Sequence, residues 1–122
     1  MTIEISPIAS RTWDDFVRSF TRQNDGWIGS VEVRSQDGKL SRAVEELPFR
    51  GVTLEKRGGR ETMILTFGYD PDEHHGHLLD APKALTLVES RDHNQKALIV
   101  DLGDGAECVL ELLNPFSDFV EF

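Results

Sequence analysis

Residues 69 to 77 read YDPDEHHGH and hold three of the four histidines in a chain of 122 residues, beside Asp70, Asp72 and Glu73. Imidazole and carboxylate are ligands that zinc takes at about 2.0–2.2 Å, and a catalytic zinc needs three of them plus a water. Asp72, Glu73, His74 and His77 are therefore the candidate metal or polar site. A metal there would activate water, and the spare carboxylate would take its proton. Two histidines share a helix face at His-x-x-x-His spacing, however, and here Gly76 interrupts the segment between His74 and His77. A remote ligand is scarce, because His93 belongs to a separate polar turn and Cys108 to an apolar strand face. No cofactor is expected, with zinc as the alternative.

The same residues also spell a capped turn. Asp70 suits an N-cap, Pro71 the first helical position, and Glu73 completes an Asp-x-x-Glu capping box. Gly76 is placed to close the turn in a left-handed conformation. The pattern then predicts hydrogen bonds from the His77 N–H to the Asp72 carbonyl and from the Gly76 N–H to the Glu73 carbonyl. A structural turn is the preferred reading, and a ligand site the second.

The elements that carry this loop follow from periodicity. Trp13, Phe16, Val17 and Phe20 repeat at i, i+3, i+4 and i+7, which predicts an amphipathic helix over about 11–23 with Thr12 as N-cap. After Gly26 the period falls to two. Trp27, Val31 and Val33 share one face, and Asp37-Gly38, Gly58-Gly59 and Asp104-Gly105 mark hairpin turns. Pro48 is expected to end the strand before it. Val52 and Leu54 face inward on one arm, and Met63, Leu65, Phe67 and Tyr69 on the next. The expectation is a mainly β, α+β fold in one domain, residues 1–122. It comprises a curled, barrel-like antiparallel sheet of about seven strands over about 26–113, the N-terminal helix against its apolar face, and an aromatic tail, 114–122.

Thirteen basic residues against 22 acidic ones give a formal charge of −9. Such a charge repels phosphate backbones and anionic lipid, so neither nucleic acid nor a membrane surface is an expected partner. The single cysteine excludes an intrachain disulfide. The first residues, MTIEISPIAS, lack a basic, apolar leader, and a cytoplasmic protein is expected.

The segments TWDDFVRSF, DGW at 25–27, VEV at 31–33, LPFRGV at 47–52 and PDEHHGH at 71–77, with Pro82 following, resemble one family. It comprises small, mostly bacterial proteins catalogued only as a domain of unknown function. The resemblance covers residues 5 to 113, nearly the whole chain. Its most specific part is Asp-Glu-His-x-x-His, here Asp72, Glu73, His74 and His77, while His75 falls where the motif is open. The tail NPFSDFVEF runs past the family's usual end. The resemblance implies a single small fold and singles out the loop, and it brings no activity.

Other residues have simpler explanations. Cys108 shares a strand face with Leu110 and Leu112, as a buried, inert thiol would. Glu45-Glu46 and Asp14-Asp15 are adjacent, so their carboxylates point apart. Phe116, Phe119 and Phe122 form the candidate interaction surface, either docked on the sheet or meeting a protein partner or a second copy. The expected function is a non-enzymatic interaction or accessory module. The alternative is a small metal-binding or hydrolytic enzyme built on the histidine loop.

Overall fold

The computed structural model describes residues 3–70 and 72–116. An amphipathic stripe must be covered, and here one helix lies on one antiparallel sheet. The chain runs β1 (Ile3–Ile8), a 3-10 turn (Ser10–Thr12), α1 (Trp13–Asn24), β2 (Ile28–Arg34) and β3 (Leu40–Arg57). It continues through β4 (Arg60–Phe67), β5 (His75–Asp80), β6 (Ala84–Ser90), β7 (Gln95–Gly103) and β8 (Ala106–Leu113).

The helix buries Trp13, Val17 and Phe20, with Phe16 half-buried beside them. This is the predicted stripe. Thr12 does not cap it: its hydroxyl donates instead to the Ala9 carbonyl at 2.7 Å, closing the 3-10 turn before the helix. The helix is fixed to β3 through Thr21, whose Oγ1 accepts from the Val52 N–H at 3.0 Å. Phe20 also meets Phe49 edge-on at 5.8 Å.

The strand order is β1-β6-β7-β8-β2-β3-β4-β5, antiparallel throughout. Among the described residues there are eight strands, not about seven, and the sheet they form does not close into a barrel: β1 and β5 are its two edges. Two segments expected to be separate strands are one, since β3 runs straight through Pro48. Its residues up to Pro48 pair with β2 and those from Phe49 onward pair with β4. The proline therefore sits where the strand changes partner, and its missing N–H interrupts neither ladder. The expected seven include neither β1 nor β5. β1 is exposed along five of its six residues, so it lacks the alternation that marks a strand. β5 begins inside the histidine segment.

The inner face holds Val31, Phe49, Met63, Leu65, Phe67, Leu98, Val100, Cys108 and Leu110, all fully buried. Tyr69, expected to continue this row, is 73% exposed, because β4 ends at Phe67 and the alternation ends with it. At Gly58-Gly59 both residues have positive φ, 57° and 81°, as a two-residue hairpin turn needs. Among the described residues no helix is long and apolar enough to cross a membrane.

Candidate functional site

The loop from β4 to β5 keeps the Asp70 half of its predicted capping box, and no hydrogen bond to the Glu73 side chain completes it among the described residues. Asp70 accepts the Asp72 N–H on Oδ1 at 3.1 Å, and its carbonyl accepts the Glu73 N–H at 3.0 Å. That is an Asx cap over one β-turn. The turn goes no further, and the left-handed Gly76 does not form. Gly76 is a strand residue paired with Thr66, flanked by His75 opposite Phe67 and His77 opposite Leu65. The expected helix-terminating bonds of Gly76 and His77 give way to this ladder. The reason is long-range: β4 presents an unpaired edge, and pairing with it serves more backbone groups than one helical turn would.

Arg50 holds the loop from outside. Its Nε donates to the Gly68 carbonyl at 2.8 Å and Nη2 to that of Tyr69 at 3.4 Å, while Nη1 meets Asp25 Oδ1 at 3.2 Å. The turn after α1 is thereby tied to the loop after β4. Sequence reasoning missed Arg50, and a lone arginine inside a strand gives no local sign of reaching two loops.

The four predicted site residues are not brought to one point. Asp72, Glu73 and His74 are exposed on the turn, while His77 is half-buried on β5. Leu79, next on the same face of β5, is buried. His75 and His77 line a crevice of about 250 Å³ against Val44, Glu45 and Leu47 of β3. Among the described residues no three His, Cys, Asp or Glu side chains are arranged to hold a metal ion. Cys108 is buried, and burial pushes its thiol up to about 12, so the nucleophilic thiolate is absent at neutral pH. His93 lies in its own turn with Nδ1 2.9 Å from Glu89.

Burial also pushes the His77 imidazole below its usual value of 6.5. The unfolded chain therefore binds a proton that the folded chain resists, and the penalty appears as pH falls through 6.5. His77→Gln removes this term. Wild type and variant should keep a constant stability difference above that pH. Below it wild type should lose ground, levelling off once the folded imidazole is also protonated. Urea midpoints across the pH range check this, and parallel curves would show that His77 is fully solvated.

The larger feature lies on the other face of the sheet, and no local pattern indicated it. Ile5, Val88, Ala97, Glu111 and Ser30 are successive cross-strand partners from β1 to β2. Beside them run Ile3, Ser90, Gln95, Leu113 and Ile28. Small side chains at Ala97, Ser30 and Ser90 leave a trough between larger ones, a groove of about 460 Å³. Ile3 and Leu113 are 51% and 48% exposed there, and Ile5, beside Val88 on the same face, is 62% exposed. At the groove's end Arg42 is shared between Glu32 at 3.9 Å and Glu45 at 3.8 Å. Of the predicted tail surface, Phe116 is exposed, and Phe119 and Phe122 lie outside the described residues.

No family model, curated protein or solved structure matches this chain.

Proposed function

We propose that the protein is a non-enzymatic, cytoplasmic interaction or accessory module that binds a protein partner through the outer face of its sheet. One observation carries this reading. The inner face is filled by its own helix and core, whereas the outer face presents Ile3, Val88 and Leu113 around a groove that no described residue covers, with exposed Ile5 next to Val88. Contiguous exposed apolar side chains with a polar rim mark interaction surfaces. Among the described residues the groove's two serine hydroxyls are engaged by the Glu46 N–H and by Asp92, and no histidine lines it.

The reading is tested by replacing Ile3, Ile5 and Leu113 together with lysine. If the face is bare, the triple variant should unfold within about 0.5 kcal/mol per site of wild type, as ordinary surface substitutions do. It should also lose the binding of an apolar dye such as ANS. A loss of several kcal/mol would mean that the face is part of a core, and the module reading would fail.

The second reading, a small metal-binding or hydrolytic enzyme, rests on the crevice where His75 and His77 face Glu45. Zinc at a hundred times its dissociation constant would stabilise such a site by about 2.7 kcal/mol. We expect no zinc-dependent change in melting temperature. A rise that His77→Ala abolishes would promote the enzyme.

A further inference from the structure

We infer that the outer-face groove takes an amphipathic helix whose apolar stripe is flanked by lysine or arginine. The inference rests on the module reading above and adds the chemistry and shape of the partner. Shape comes first. The groove runs across the strands, from Ile3 on β1 through Val88 and Ala97 to Leu113 and Ile28. Five strands are four steps of about 4.8 Å, or about 19 Å, the length of a helix of about 13 residues. Addition of an extended strand would instead use the edge of β1, where Pro7 has no N–H to donate.

Charge decides the flank. Of the two cations that line the groove, Arg42 already has two carboxylates, Glu32 and Glu45, and Lys96 is turned to Glu89 at 4.0 Å and lies over the Trp27 ring. Glu46 and Glu111, on opposite sides of the floor residue Ser30, have no ion pair among the described residues. The chain carries −9 overall. Two glutamates without an ion pair, in a groove edged by Ile3, Ile28, Val88 and Leu113 on an acidic protein, favour a cationic partner in both encounter and register.

The test uses two synthetic helical peptides of about 14 residues, one leucine/lysine and one leucine/glutamate, titrated into the isotope-labelled full chain. The lysine peptide should shift the amide signals of Ile28, Val88, Ala97 and Leu113. Ala97→Gln, which fills the floor without adding charge, should weaken it roughly tenfold. Glu46→Gln with Glu111→Gln should weaken it and flatten its salt dependence. Lysine-peptide binding that ignores Ala97→Gln would be general attraction to an acidic surface and would overturn the inference. So would tighter binding of the glutamate peptide in the groove, although the module reading would survive that result. Groove signals that move with protein concentration alone would make a second copy the occupant. Groove signals that move when residues 117–122 are deleted would make the chain's own C-terminal segment the occupant. Either result, or no groove shift with any peptide, overturns the basic-helix inference, and the lysine triple variant judges the module reading separately.

Discussion

Phe49→Ala should destabilise the protein by about 3–5 kcal/mol, the usual cost of emptying a fully buried phenylalanine site. Phe49 is completely buried and stands between two other rings, Phe20 of α1 at 5.8 Å and Phe67 of β4 at 5.9 Å, both edge-on. Each such contact adds about 0.5–1.5 kcal/mol beyond burial, so the chain of rings couples helix to sheet. The backbone at Phe49 is equally committed. Its N–H donates to the Trp27 carbonyl at 2.7 Å and its carbonyl accepts from Gly26 at 2.8 Å, where β3 changes partner. A domain this size is stable by about 5–15 kcal/mol, so the alanine variant is at the edge of folding. Phe49→Leu keeps most of the volume and gives a measurable midpoint in any case. Phe16 is only half-buried, at the margin of the same cluster, and its truncation should cost clearly less. Equal urea midpoints for Phe49→Leu and wild type would show that the ring stack does not hold the helix.

What the sequence makes legible is whatever depends on neighbours along the chain. The Trp13–Phe20 stripe specifies a helix and the side it buries. Met63, Leu65 and Phe67 alternate, as do Cys108, Leu110 and Leu112, and each row is buried as alternation predicts. Asp70 caps the residues just after it. What is not legible depends on remote partners. β1 is a strand because β6 pairs with it, and its own residues carry no buried face. The contact of β8 with β2 joins segments on opposite sides of five other strands in the chain. The groove is assembled from six strands, so its floor of Ser30, Ser90 and Ala97 has no signature at any spacing. The histidine loop lies between these cases. Its beginning is local and follows the expected capping, and its end belongs to β4.

That division yields opposite outcomes at the loop's two glycines. The sequence pattern assigns the demanding conformation to Gly76, so that Gly76→Val would cost at least about 1 kcal/mol through positive φ. In the structure Gly76 is ordinary strand, and a Cβ added there meets only Ile64 Cγ2 at 3.6 Å, a normal contact. A β-branched residue suits that setting. Gly68, which sequence reasoning passed over, has φ of 153° and faces the turn across a very short gap. A Cβ on it would lie 2.5 Å from the Glu73 carbonyl oxygen and 3.4 Å from His74 Cα. Both are backbone, so relief requires the whole turn to move rather than one side chain to rotate. Such movement would strain the Asp70 cap and the Arg50 bonds to the Gly68 and Tyr69 carbonyls. Gly68→Ala should therefore cost about 1–3 kcal/mol, the range for forced overpacking. It should also speed amide hydrogen exchange at Asp72 and Glu73, whose N–H groups bond to Asp70. Gly76→Ala should leave both unchanged. The pair is measured side by side by urea denaturation and exchange, and the reverse ranking would restore Gly76 as the residue that closes the loop.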